Sequence, residues 1–355
     1  MEYNILIGGE AGQGLKTTSH ILGKALFRYG YHVFSSKDYM SRVRGGHNFM
    51  KIRFGDREFS APEDSLDLII ALNRETIDNH LSDLCEEGIL LAEDKVSEIE
   101  NSIVVPAKEI AADINSKGLN MVYIGAFLKI IGLELVEMNN IISEYFEENS
   151  EIEDNLLLLK KGYNYVENII NVSRSSSHKN RIYISGNDAV GLGAAAAGVS
   201  FYAAYPMSPS TGILNYLAGK QDRLGIAVEQ AEDEIGAINM ALGAAYGGIR
   251  SMVGTSGGGF SLMAESIGMA GIGEIPVVIA EVQRPGPATG LPTRTSQGDL
   301  QFVINVAQGE FPLMVIAPRD QEDAFLQTFR AHNLAEKYQI PVILLSDQFL
   351  ADSTK

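Results

Sequence analysis

Four acids stand together in VEQAEDEIGAINMALGAAYGG over 228–248: Glu229, Glu232, Asp233 and Glu234. A carboxyl turned away from water is a general acid or base, whereas acids at the mouth of a helix complement the positive end of its dipole. Spacing leaves both uses open, and the chemical one needs a single acid aimed inward. Downstream, EVQRPGPATGLPTRTSQGDL over 281–300 displays Arg284 and Arg294 among prolines, threonines and glycines. A guanidinium on a stiff loop suits a planar carboxylate or phosphate, and pairing with neighbouring acids is the competing use. YPMSPST over 205–211 brackets Ser208 with Pro206 and Pro209, which stiffens the loop and fixes the direction of the hydroxyl. GTSGGGFSLMAES over 254–266 offers Gly257 and Gly258 in a turn that a ligand or another backbone can approach closely.

The N-terminal GGEAGQGLKTT, 8–18, has the parts of a phosphate loop in the wrong register, since Leu15 stands where the lysine is required. The dinucleotide fingerprint fails as well, because Thr17 occupies the place of its third glycine. What remains is the backbone around Gly12 and Gly14 at a helix start, suited to an anion such as a coenzyme phosphate or to close strand–helix packing. SRVRGGHNF, 41–49, sets Arg42, Arg44 and His47 around a glycine pair. Two arginines near a glycine turn could clamp a phosphate or carboxylate, including that of a coenzyme, and a solvated loop or subunit contact is the competing use. His47 has no second histidine or cysteine at ligand spacing, which argues against a metal.

These residues need a scaffold. An apolar run at 3–7, the glycine turn and helical spacing over 15–29 predict strand, turn and helix. The runs 66–72 and 88–92 read as buried strands, and 120–135 as a helix. The polar NVSRSSSHKN, 171–180, reads as a linker, which divides the chain into domains 1–170 and 181–355. In the second domain 181–185, 201–204, 226–228, 251–255, 276–282, 313–317 and 342–345 are strand-like and mostly separated by helical stretches. That alternation predicts an α/β fold with a doubly wound parallel sheet, whose sites lie beyond the carboxyl ends of the strands. The acids, the proline loop, the glycine turn and the arginine loop all follow strands in this way.

Composition narrows the partners. The 355 residues are roughly twice the size of a single-core domain. A net charge of -17 argues against nucleic acid and anionic lipid, both negative themselves. Cys85 is the sole cysteine of these residues, so they hold neither a disulfide nor a cysteine-ligated cluster, and any electron relay sits on another subunit. With no apolar run near about 18 residues and no secretory leader, a cytoplasmic protein is expected.

Taken in order, GNDAVGLGAAAAGVSFYAAYPMSPST, VEQAEDEIGAINMALGAAYGG, GTSGGGFSLMAES and RPGPATGLPTRTSQGDL closely resemble the pyrimidine-binding domain of 2-oxoacid:ferredoxin oxidoreductase alpha subunits. Residues 1–170 resemble the gamma domain that many of these subunits carry at the N-terminus. The resemblance implies oxidative decarboxylation of a 2-oxoacid with coenzyme A to an acyl-coenzyme A and carbon dioxide, the electrons passing to ferredoxin. It also implies thiamine diphosphate shared with a beta subunit in a hetero-oligomer. That partner carries Mg2+ and an iron–sulfur cluster, and nothing here resembles the GDG-type magnesium motif. Glu234 matches the glutamate that bonds the pyrimidine ring, with Glu232 as second choice, and Gly257 and Gly258 match the cofactor side. Tyr205, Pro206, Ser208 and Pro209 match the substrate loop, Ser208 standing where the family often has threonine. Arg284 matches the arginine that holds the substrate carboxylate, and Thr289 and Arg294 share its loop. Family members continue into a further domain beyond this point. The competing expectation is a coenzyme A or nucleotide-binding noncatalytic subunit that works through its gamma-like domain.

Overall fold

Apolar runs that bury on both sides require helices over each face of a sheet. The computed structural model, which describes residues 1–41, 45–96, 101–172 and 180–355, meets that requirement twice. Its contacts divide the chain into Met1–Tyr183 with Lys355, and Ile184–Thr354. Of the expected linker, residues 173–179 lie outside the described residues.

In the first unit the strands are β1 Glu2–Ala11, β2 His32–Asp38, β3 Gly45–Gly55, β4 Leu66–Ala71, β5 Leu84–Ala92 and β6 Ser102–Val104. They lie in the order β2-β3-β1-β4-β5-β6. β1, β4, β5 and β6 run parallel, whereas β3 pairs antiparallel with both β1 and β2. Ile5, Ile7, Leu68 and Ile70 face a core shared with helices Leu15–Arg28 and Leu119–Ile130. Leu6, Ile69 and Leu90 face a smaller cluster that includes Ile77. One expectation changes here: the glycine pair of 41–49 is no free loop but the start of β3, with Met50, Ile52 and Phe54 buried at every second position.

The second unit holds β7 Phe201–Ala204, β8 Ala227–Gln230, β9 Ser251–Thr255, β10 Val277–Gln283, β11 Met314–Ile316 and β12 Pro341–Asp347. All pairings are parallel, in the order β11-β12-β10-β9-β7-β8. Tyr202, Met252, Val278 and Val342 bury against one layer of helices, and Ala203, Val253, Ile279 and Ile343 against the other. The sheet is therefore doubly wound. The helix after β7, Thr211–Ala218, joins the first layer, while Gly257–Leu262 after β9 joins the second. Neighbouring strands whose connections leave to opposite faces open a crevice at their carboxyl ends, here between β7 and β9.

The strand expected at 181–185 does not form. Arg181 donates to the carbonyl of Gly30 at 2.9 Å and the Tyr183 hydroxyl pairs with Ser35 at 2.9 Å, so these side chains serve the first unit. Ser185 makes only an isolated bridge to Thr354 and caps the helix Gly186–Ala196. Among the described residues no helix is long and apolar enough to cross a membrane.

Helix Gln321–Tyr338 carries His332, 3% exposed, into the second unit's core. Burial, and secondarily the Arg250 charge, pull its pKa down to about 3. The native state thus binds fewer protons than the unfolded chain, and stability falls as pH drops from the ordinary histidine value of about 6.5 toward 3. The loss should reach a few kcal/mol, at about 1.4 kcal/mol for each tenfold difference in proton affinity between the folded and unfolded chains. A His332→Gln variant is expected to flatten the stability–pH curve over that window in denaturant titrations, and an unchanged slope would refute the assignment.

Candidate active site at the carboxyl edge of the second sheet

The four acids separate once folded. Asp233 is the helix cap, its Oδ1 accepting from the Gly236 amide at 2.7 Å, and Glu229 and Glu232 are exposed. Glu234 opens the helix Glu234–Tyr246 and is 4% exposed. Its Oε1 is buried and meets no donor. Leaving such an atom unpaired costs free energy, so a carboxyl held this way is prepared for a partner that brings its own donor or acceptor. Gly259 explains how the carboxyl fits: a β-carbon there would stand 2.6 Å from Glu234 Oε1 and 2.2 Å from Thr255 Oγ1. The glycine turn after β9 is therefore shaped around this acid.

Arg284 follows β10 and is 9% exposed. It donates through Nη1 to the Ser208 carbonyl at 2.5 Å and through Nη2 to the Thr289 carbonyl at 3.0 Å, tying the proline loop to its own loop. Burial lowers its pKa and the nearby Glu234 charge partly restores it. Around it the proline loop is braced by Ser210 Oγ on the Met207 carbonyl at 2.7 Å and Asn187 Nδ2 on the Pro209 carbonyl at 2.9 Å. Tyr205 and Ser208 are exposed, Pro206 is half-buried and Pro209 buried. The Ser208–Pro209 and Gly286–Pro287 bonds are cis. Gly290 turns the arginine loop at φ 57°, where a β-carbon would sit 1.7 Å from the Pro285 carbonyl oxygen. The loop folds back until the Ala288 carbonyl oxygen would lie 3.4 Å from a β-carbon on Gly258. Glu234, Arg284, Ser208, Thr289, Gly257 and Gly258 thus converge at one edge. Arg294 lies further along, its amide on the Leu291 carbonyl at 3.1 Å, and Glu232 faces solvent.

In the first unit Gly12 and Gly14 adopt positive φ, and Gly14 is the N-cap of helix Leu15–Arg28. Asn120 Nδ2 closes that turn by bonding the Gln13 carbonyl. Arg42 and Arg44 lie outside the described residues. His47 does have a companion: its Nε2 is 2.8 Å from Nε2 of His80, whose Nδ1 is 3.1 Å from Asp83. A nitrogen–nitrogen distance of this size is a hydrogen bond. Among the described residues no group of three or more histidine, cysteine or acidic side chains could hold a metal. Sequence reasoning also missed Glu281 and Asp299, although a lone glutamate inside the apolar VVIAEVQ was a signal.

The family described as "Pyruvate flavodoxin/ferredoxin oxidoreductase, thiamine diP-bdg" matches residues 192–355, and "Pyruvate ferredoxin/flavodoxin oxidoreductase" matches residues 4–165. A 2-oxoacid:ferredoxin oxidoreductase subunit alpha from a Sulfolobus species is 34% identical, over 99% of this chain and 65% of its own length. A 2-oxoglutarate synthase subunit KorA from Methanothermobacter marburgensis is 44% identical over 168 residues, 47% of this chain and 45% of its own. The structure of the 2-oxoglutarate:ferredoxin oxidoreductase from Magnetococcus marinus, with 2-oxoglutarate, coenzyme A and succinyl-CoA bound, aligns with a TM-score of 0.90 at 31% identity. That alignment covers 99% of this chain and 64% of the other. The chain spans less than two thirds of the length of these longer relatives.

Proposed function

Because the chain belongs to the 2-oxoacid:ferredoxin oxidoreductase alpha-subunit family, we propose that it forms part of an enzyme that oxidatively decarboxylates a 2-oxoacid with coenzyme A and passes the electrons to ferredoxin. The observation that carries this reading is the buried, donorless Oε1 of Glu234 beside Arg284 at the crevice of the second sheet. Bound thiamine diphosphate would supply a thiazolium carbon that adds to the 2-oxoacid carbonyl and accommodates the electrons freed by loss of carbon dioxide. Glu234 fits its aminopyrimidine: the glycine turn lets a flat ring approach, and the orphaned oxygen offers a proton-exchanging partner to a ring nitrogen. Gly257 and Gly258 line that approach. Arg284 holds the substrate carboxylate, and Tyr205, Pro206, Ser208, Pro209, Thr289 and Arg294 form the surrounding wall.

The division of labour follows from charge and ligands. The diphosphate needs a cation, and the sequence supplies no magnesium motif. The single cysteine cannot hold a cluster. Both belong to a beta partner, in a cytoplasmic hetero-oligomer. Residues 1–170 act as a gamma-like domain, with Gly12, Gly14, Arg42 and Arg44 as contacts for an anion such as coenzyme A.

Titration of the purified chain by calorimetry with thiamine diphosphate and Mg2+ is expected to show weak binding and no turnover. Addition of the beta subunit should produce 2-oxoacid- and coenzyme A-dependent reduction of ferredoxin. Tight magnesium-dependent binding without a partner would contradict the split site. A complex that binds coenzyme A through residues 1–170 but never turns over would favour a noncatalytic subunit instead.

A further inference from the structure

Two acids at this edge are not used by the proposed chemistry. Glu281 is the fifth residue of β10 and is 0% exposed. Asp299 stands at the N-cap of the helix Leu300–Ile304, where an aspartate ordinarily accepts that helix's own amides, yet it makes no such bond. Its carboxyl turns inward to the glycine turn, where a β-carbon on Gly257 would lie 2.6 Å from Oδ2.

Both Glu281 oxygens and Asp299 Oδ2 are buried and meet no N–H or hydroxyl donor. Ionised carboxylates can only accept hydrogen bonds. Glu281 pairs with Thr255 across β10 and β9, and the Asp299 carboxyl lies against Gly257, two residues beyond Thr255, which brings the two acids together, and a single proton between them satisfies both. The electrostatics agree: burial first, and the Asp299 charge second, hold Glu281 well above the usual carboxyl range, and burial raises Asp299. Gln283 completes the attachment. Its Oε1 accepts the Asp299 amide at 3.0 Å and its Nε2 donates to the Ser346 carbonyl of β12 at 3.1 Å. The other charged groups and histidine on the elements packed against β10 are Glu234, Arg284 and Asp347, Asp352 on helix Gln348–Asp352, and Glu322, Asp323, Arg330, His332, Glu336 and Lys337 on helix Gln321–Tyr338; Asp347 accepts from Gln297 Nε2 at 2.7 Å and from the Leu350 amide at 2.9 Å.

We infer that Glu281 and Asp299 form a one-proton latch that positions loop 284–299 against the glycine turn 256–259. Neither acid need touch substrate; they are positioning residues, and the latch stands whatever reaction the site performs. It fastens the far end of the loop as Arg284 fastens the near end. Because the contact needs its proton, the latch holds while the pair keeps it and weakens as pH rises through the raised carboxyl range, when two carboxylates would share a dry pocket.

Trypsin cleavage after Arg294, inside the loop, reports latch opening in the purified chain. D299A should be cut about tenfold faster or more than wild type, in line with a lost buried hydrogen bond of a charged pair. E281Q, whose amide donates to Asp299 without titrating, should resist cutting as well as wild type at the lowest pH at which trypsin works and keep that resistance as rising pH loosens wild type. Since D299A also removes a negative charge from the start of the helix Leu300–Ile304, E281A serves as a second loosening variant. Infrared difference spectroscopy needs no loosened variant: wild type should show the carbonyl stretch of a buried protonated carboxyl that E281Q lacks. Wild-type cutting rates in both D299A and E281A, or absence of that band from wild type, would overturn the latch.

Discussion

Glu234→Gln, in the complex reconstituted with the beta subunit, is expected to assemble normally and to lose about two or more orders of magnitude in turnover, the scale of lost acid–base catalysis. Glutamine keeps the length and planarity that fit against Gly259, and so spares the packing. It can still hydrogen-bond a ring nitrogen but cannot exchange a proton with it. Oε1 is buried and meets no donor, which leaves it open to the ring partner that the proposed role requires. Deuterium exchange at the cofactor's thiazolium carbon should slow in parallel. Glu232→Gln is the internal control: its parent side chain faces solvent, so it should leave both measurements near wild type. Survival of exchange and turnover in both Glu234→Gln and Glu232→Gln would remove the domain from thiamine chemistry. Collapse in Glu232→Gln alone would shift the assignment by two residues.

Arg284→Ala should raise the KM for the 2-oxoacid by roughly 10- to 150-fold, the equivalent of about 1.5 to 3 kcal/mol for a charge-assisted hydrogen-bonded pair. An arginine has five N–H donors, and the Ser208 and Thr289 carbonyls are met by its two terminal nitrogens, leaving further donors for a carboxylate. Truncation therefore removes the grip on substrate and the tie between two loops together. Arg284→Lys separates them, because an ammonium restores charge without the planar fork. Its KM should fall between those of wild type and Arg284→Ala. An unchanged KM in Arg284→Ala would pass the carboxylate to Arg294 or to the partner subunit.

The second sheet was legible because β7, β9, β10 and β12 are buried on both faces and read as apolar runs ending in glycine, proline or acids. The antiparallel pair β2 and β3 was not, since arginines and a double glycine at 42–46 disguised the alternation that starts at Met50. The strand assigned at 181–185 failed for a reason invisible to periodicity: apolar content does not reveal which unit will claim a side chain, and Tyr183 went to Ser35. At the candidate site, residue types were readable and directions were not. Four clustered acids could not be ranked until folding put Asp233 on the cap and Glu234 inside. Glu281 and Asp299, 18 positions apart, become a pair only when the loop folds back over the glycine turn.

Arg284 holds two main-chain carbonyls, and neither bond involves the side chain of Ser208 or Thr289. Frame and lining are thereby inherited separately: the residues at 208 and 289 can change size or polarity while the loops stay where they are. Substrate preference at such a site can drift through single substitutions without passing through a disordered intermediate. Under the proposed role of Arg284, descendants of one ancestral pocket could accept longer, branched or acidic 2-oxoacids and still present the same guanidinium to the carboxylate they have in common.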